Sequence, residues 1–226
     1  MDSVEERILS LYRRVRVQAA EWAESAPLIA RAGFRILCGP PIVGAPMVVS
    51  LNPGYTDKIR QHDRATFWPE RWPERLEWLR GISAFARRLG DVLQEAGIKL
   101  DRVNGGYVVM FRCNNMDQWK TEEEVPADVR RRAEDLSLEV LHEINAALKP
   151  KFVYAAGFDT FKRMGCSLER REDGRRKSGG KFELLRFGDF GGVPVIASPH
   201  LSGYRLSREN DHQIAEGLSR LYHGIA

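Results

Sequence analysis

The sequence predicts an α/β protein, a three-layer α/β/α sandwich around a mostly parallel sheet of four core strands. Three observations predict it. Short apolar, β-branched runs alternate with longer stretches of helical periodicity. The first of those runs stops abruptly at turn residues and the second at a polar pair, as buried parallel strands do. The chain has 226 residues, 43% hydrophobic and 29% charged, which suits one domain with a sizeable core.

The elements follow in order. Residues 3–24 predict a helix, because Val4, Ile8, Leu11, Val15, Ala19 and Trp22 share one face. This helix makes residues 1–28 an N-terminal helical extension of a single domain spanning 1–226. Residues 46–51 predict a buried strand that ends in the turn Asn52-Pro53-Gly54. A polar, aromatic loop runs from Tyr55 to about Trp72. Residues 74–96 predict a second helix with Ile82, Phe85, Ala86, Leu89, Val92, Leu93 and Ala96 inward. Residues 106–113 predict a second strand, closed by Asn114-Asn115. Pro126 opens a third helix, where its missing N–H costs nothing, and Pro150 stops it. Residues 151–156 predict a third strand, followed by Gly157 and a short helix to about Gly165. Residues 182–187 read as strand and 193–197 as the last core strand. The biased stretch Glu169–Gly180 reads as an exposed loop or hairpin tip. A final helix carries Ile214, Leu218 and Leu221 inward.

Composition removes several function classes. The charged N-terminus lacks the apolar stretch of a signal peptide, and no run of 18 apolar residues exists. The expectation is a cytoplasmic protein with no membrane partner. The three cysteines, Cys38, Cys113 and Cys166, are far apart, without the close spacing of a zinc or redox motif. Reduced, mostly buried thiols are expected, with no metal and no cofactor. HExxH, the P-loop and GxSxG are absent. A net charge of +4 neither requires nor excludes a polyanionic partner.

In mostly parallel sheets a ligand sits beyond the carboxyl ends of the strands. That rule selects Asn52–Thr56, Asn114–Asp117, Gly157–Thr160 and Ser198–Arg205. Gly54 lets backbone approach a ligand, and the amide of Asn52 offers a donor and an acceptor that can orient water or read a planar polar edge. A plain strand-ending turn uses the same residues. Asn114 and Asn115 can read a nucleobase edge or cap a helix. Asp159 reads as a cap. The last segment carries the most chemistry. His200 can donate to a developing anion. Ser202, Tyr204 and Arg205 suit phosphate. Leu201, expected exposed on a loop, suits a wedge between bases. The alternative is a solvated loop with a structural histidine. Tyr55, Phe67, Trp68 and Trp72 can stack a base or pack as a flap over the sheet. Arg170, Arg171, Arg175, Arg176 and Lys177 can touch phosphate backbone or form a solvated hairpin tip.

Four of these segments resemble the motifs of the uracil-DNA glycosylase superfamily, and in family order. Leu51-Asn52-Pro53-Gly54 is similar to its first motif, in the Asn-Pro-Gly form of the mismatch-specific and single-strand-selective branches. Phe111-Arg112-Cys113-Asn114 resembles the segment whose Asn reads the uracil edge. Residues 149–158 resemble the third-strand segment, and Leu201–Arg205 the end of the DNA-penetrating loop. The likeness runs from about residue 30 to the C-terminus.

The resemblance implies a uracil-DNA glycosylase-like fold and a monofunctional DNA N-glycosylase of base excision repair. It would flip a damaged base, uracil or a related deaminated base, and hydrolyse its N-glycosidic bond as a monomer on DNA. Asn52 would position water, Tyr55 would exclude a thymine methyl, Phe67 would stack the base and Asn114 would bond its polar edge. Leu201 would fill the gap in the duplex, and Ser202 and Arg205 would hold phosphate. Branches with an iron–sulfur cluster use four cysteines, so none is expected here. One motif departs from the family. Ala197 stands where the family has His or Asn, and Ser198-Pro199-His200 places the histidine three residues later. Either His200 turns back to the leaving base, or that group is missing. Two other functions stay open: a nucleic-acid or nucleobase-binding module without turnover, and a hydrolase of free nucleosides or nucleotides.

Overall fold

A computed structural model of the chain describes residues 3–54, 68–74, 76, 78, 83–175, 179–202 and 206–224. Among the described residues there are seven α-helices and six strands. In chain order these are α1 (Val4–Trp22), α2 (Pro27–Ala32), β1 (Met47–Ser50), α3 (Ala84–Glu95), β2 (Asn104–Tyr107), α4 (Met116–Lys120), α5 (Ala127–Leu148), β3 (Val153–Ala156), α6 (Phe158–Arg163), β4 (Ser167–Arg175), β5 (Lys181–Phe190), β6 (Val193–Ser198) and α7 (Arg208–His223).

The strands form one sheet in the order β2-β1-β3-β6-β5-β4. The first four are parallel neighbours, and β5 and β4 add an antiparallel edge. Alternate side chains of the parallel strands enter two separate cores. Met47, Val49, Val153, Ala155, Val195 and Ala197 face the side covered by α1, α2 and α5. Val48, Tyr154, Ala156 and Ile196 face the side covered by α3 and α7. Such burial on both faces is why these strands read as continuous apolar runs. The residues of α1 sit in the first core, so this helix packs against the sheet layer rather than standing apart.

Caps explain most helix starts. Ser3, Ser83, Asn115 and Ser207 each accept a backbone N–H three residues on. At the other end of α5, Lys149 adopts φ 47°, and Pro150 follows.

Four expectations change. The sheet has six strands rather than four. Strand β4, placed within a loop or hairpin tip by its charges, is exposed along nearly its whole length, so no apolar alternation marked it. The second strand lies at 104–107 instead of 106–113. Gly105 is pressed so tightly that an added Cβ would lie 2.8 Å from the Cβ of Cys38, and a glycine pair leaves no hydrophobic signal. Residues 108–113 bend away from the strand and make isolated bridges from Phe111 to Phe34 and from Cys113 to Gly54. The second helix begins at Ala84, behind its Ser83 cap, not at 74. The short helices α2 and α4 carry too few turns to show a period. No helix among the described residues is long and apolar enough to cross a membrane.

Candidate functional site

Parallel pairing of β2, β1, β3 and β6 brings their carboxyl ends to one edge of the sheet. The first two loops are laced together there. The side-chain amide of Asn52 donates to the carbonyls of Cys113 at 3.0 Å and Pro53 at 3.2 Å. The Cys113 N–H returns a bond to the Pro53 carbonyl at 3.3 Å. The buried guanidinium of Arg112 donates to the Gly54 carbonyl at 3.2 Å. Carbonyls only accept, so these bonds fix the orientation of the Asn52 amide. Its NH2 group is spent on protein, and Oδ1, on a half-buried side chain, has no partner among the described residues.

Asn114 follows immediately. Its backbone N–H donates to Gln118 Oε1 at 2.9 Å, while its side chain is exposed and makes no hydrogen bond among the described residues. Asn115 takes the capping role, accepting from the Gln118 N–H at 2.8 Å. The pair is thus divided: one residue builds the loop and its neighbour is left open to solvent.

The last loop returns over the same edge. A Cβ placed on Gly157 would lie 3.9 Å from both Cβ and Cδ2 of His200, so the imidazole leans against the end of β3. Gly157 has φ 120°, a conformation that L side chains rarely adopt. The other face of His200 stacks on Phe85 of α3, with ring centroids 5.0 Å apart and planes inclined by 23°. Phe85 in turn meets Trp78 edge-on. Sequence periodicity counted Phe85 as an inward helix residue; its contact with His200 has no signal in spacing alone.

The Ser202 N–H aimed at Nδ1 favours one tautomer of His200. Nδ1 accepts the Ser202 N–H at 3.3 Å and lies 2.6 Å from the Ser202 hydroxyl. An accepting Nδ1 leaves the proton of the neutral ring on Nε2, which has no partner among the described residues. Packing against Phe85 and Gly157 desolvates the ring and lowers its pKa from the ordinary 6.5, although one edge of the residue stays exposed. The side chain is therefore a neutral N–H donor at pH 7.

Ser198 does not face the edge. It is fully buried, and its hydroxyl lies 2.7 Å from the Tyr154 hydroxyl and donates to the Pro199 carbonyl at 2.9 Å. Burial holds the Tyr154 phenol well above its usual pKa. Arg88 of α3 fastens the loop at both ends. Its guanidinium donates to the carbonyls of Leu201 at 3.2 Å and Leu206 at 3.0 Å, and grips both oxygens of Asp211 at 3.0 and 2.9 Å. Sequence reasoning missed Arg88, since an arginine on an amphipathic helix reads as surface.

Leu201 requires a correction. It was expected exposed, as a wedge, but it is 1% exposed and belongs to the core under α3 and α7. Arg88 holds its carbonyl, and its side chain lies within that core. Trp68 and Trp72 pack against the first core, as in the flap alternative to base stacking. Asp159 lies in the first turn of α6, where Gly157 caps without a side chain. Tyr55, Phe67, Tyr204, Arg205, Arg176 and Lys177 lie outside the described residues.

Cys38 and Cys113 are buried, Cys166 is half-buried, and all three are free thiols. Burial pushes the thiols of Cys113 and Cys166 up to about 12, which keeps them protonated. Among the described residues no three His, Cys, Asp or Glu side chains gather as a metal site. A cleft of about 400 Å3 lies elsewhere, lined by Tyr12, Arg13, Arg16 and Glu70.

No family model matches the chain, and a search of curated proteins returns no match.

Three outcomes are expected from this geometry. Long-range 1H–15N spectra of His200 should show Nε2 protonated, with a titration midpoint below 6.5. The unfolded chain takes up that proton at higher pH than the folded chain. His200 therefore contributes stability that is complete above the unfolded pKa of about 6.5 and is lost as pH falls through the folded pKa. A proton on Nδ1, or a midpoint above 6.5, contradicts the assignment. Leu201→Ala should cost about 2–5 kcal/mol in urea unfolding, the range for a buried leucine; an unchanged midpoint would restore the exposed wedge. Arg88→Gln should cost about 2–3 kcal/mol by the same measurement, because Asp211 and two carbonyls lose charged donors. Arg88→Lys should recover only part of that, since an ammonium lacks the guanidinium fork.

Proposed function

We propose that the chain is a monofunctional DNA glycosylase of the uracil-DNA glycosylase superfamily, acting on uracil or a related deaminated base. One arrangement carries the reading. Asn52, with its acceptor oxygen left over, and His200, with its Nε2 donor left over, stand at the carboxyl ends of strands separated only by β3. Two strand spacings put about 10 Å between those strands. That width suits a planar heterocycle with its sugar. The exposed amide of Asn114 lies beside Asn52, where it can meet the polar edge of a base.

The roles follow from charge. Cleavage of an N-glycosidic bond builds negative charge on the departing base and positive charge on the sugar. A fixed, neutral N–H donor stabilises the base without first having to lose a proton. His200 supplies that donor in place of the residue that Ala197 replaces. Asn52 Oδ1 accepts a hydrogen bond from the water that captures the sugar. Leu51–Gly54 holds no carboxylate to serve as a strong base, so the bond to the base breaks ahead of water attack. Flipping the nucleotide costs roughly a few kcal/mol in lost stacking and pairing.

A second reading has its own support. Ala197 is fully buried and the Ser198 hydroxyl is turned inward to Tyr154, so the strand-end position offers no group to a ligand. A base-binding module without turnover fits that feature.

One panel separates the two. Labelled single- and double-stranded oligonucleotides carrying uracil, G·U, G·T or hypoxanthine are incubated with the wild type, Asn52→Ala and His200→Ala, and abasic sites are counted. The glycosylase reading expects product from the wild type and a loss on the order of 100-fold or more in either variant. Product that survives Asn52→Ala undiminished removes the role of Asn52. Oligonucleotide binding without product on any substrate favours the module.

A further inference from the structure

The β4–β5 hairpin stands on the same edge as the candidate site. Arg186 of β5 pairs with Ala197 of β6, and β6 ends one residue later. Residues 181–184 of β5 therefore run on past the carboxyl end of β6, paired only with β4 through Arg175. Four residues of antiparallel strand extend about 14 Å. The hairpin is thus an arm that rises beside the loop bearing His200.

The arm is held in place. The Asn210 side chain of α7 donates to the Arg175 carbonyl at 3.2 Å, and Arg220 grips both carboxylate oxygens of Glu172 at 3.1 and 2.9 Å. Along its stem the arginines are paired with carboxylates. Arg170 meets Glu172, while Arg171 and Arg186 both meet Glu183. The tip differs. Arg175 and Lys181 are directly opposed across the strands, and both are exposed. Neither has an acidic partner among the described residues. Like charges in direct cross-strand register destabilise a hairpin. The sequence from Gly174 to Lys181 holds four basic residues and no acidic one. A positive tip on a stem whose arginines are already paired is complementary to a polyanion lying along the sheet edge.

We propose that this hairpin is a DNA-backbone arm, whose tip residues Arg175 and Lys181 contact phosphates beside the nucleotide held at the candidate site. The inference rests on the glycosylase reading for the identity of the polyanion.

The test is fluorescence anisotropy of a labelled duplex, titrated with the full chain at several salt concentrations. Each lost phosphate contact lowers the slope of log affinity against log salt by about 0.9, so Arg175→Ala/Lys181→Ala is expected to lower it by roughly 1.8. The control is Lys99→Ala/Arg102→Ala, which removes the same charge just before β2, at the opposite edge of the sheet. Its slope should match the wild type. The arm variant should fold, since it removes opposed like charges, and thermal melting verifies that. If the wild type binds and the arm variant keeps the same slope, the arm is overturned while the glycosylase reading stands. Equal drops in arm variant and control likewise overturn it, as an effect of net charge. If the wild type binds no DNA at any salt, both fall. Loss of binding to vesicles containing phosphatidylserine, with an unchanged DNA slope, overturns the arm in favour of a membrane contact.

Discussion

Strand β3 is hydrogen-bonded in parallel on both sides, to β1 and to β6, and this double pairing governs where every candidate residue stands. Three strands that run the same way open their loops onto one edge. Only four residues, Val153 to Ala156, do this work, and each is buried. Val153 and Ala155 serve one core, Tyr154 and Ala156 the other. The strand is fixed from both faces, so the loops beyond it inherit a rigid base. Gly157 closes it and leaves room in which His200 can lean inward.

Above that base, hydrogen bonds rather than apolar contacts set the loops. Backbone groups that leave a sheet must find partners or face water. The first two loops satisfy each other through Asn52, Pro53, Gly54, Arg112 and Cys113. The last loop borrows a side chain from α3, where Arg88 takes the carbonyls of Leu201 and Leu206. Tyr154 and Ser198 share a buried bond between neighbouring strands just beneath it. Each device ties a loop to an element already fixed by a core. Position at the edge therefore follows from packing below it.

Much of this was legible in the sequence. The parallel strands β1, β3 and β6 are buried on both faces, and continuous apolar runs report that. The helices α1 and α7 carry long amphipathic stripes, and their expected faces pack inward. The edge itself follows from a rule of parallel sheets, which needs only strand order. What escaped had no hydrophobic signature. Strand β4 is exposed on both faces, so its charges read as loop. Gly105 and Gly106 present no side chain, so β2 was set two residues late. Leu201 illustrates a different limit: an apolar residue in a loop of polar neighbours has no period, so its place in the core under α3 and α7 leaves no trace in spacing. Arg88 and Phe85 act across the fold, and one-dimensional spacing cannot register a partner more than a hundred residues away.

The two ends of the candidate site complement each other in a way that constrains its chemistry. At one end two carbonyls consume the donors of Asn52 and leave an acceptor. At the other a backbone N–H consumes the acceptor of His200 and leaves a donor. Neither group carries charge at pH 7. An amide has no useful basicity, so Asn52 orients a water molecule without deprotonating it. A neutral imidazole holds developing negative charge through one N–H and gains nothing by transferring that proton early. On the glycosylase reading, such a pair favours a path in which charge separates before water attacks. Fixed dipoles in a desolvated setting stabilise separated charge with little reorganisation. The stacking of His200 on Phe85 covers one face of the ring and helps to fix the direction of its N–H, while the residue keeps an exposed edge.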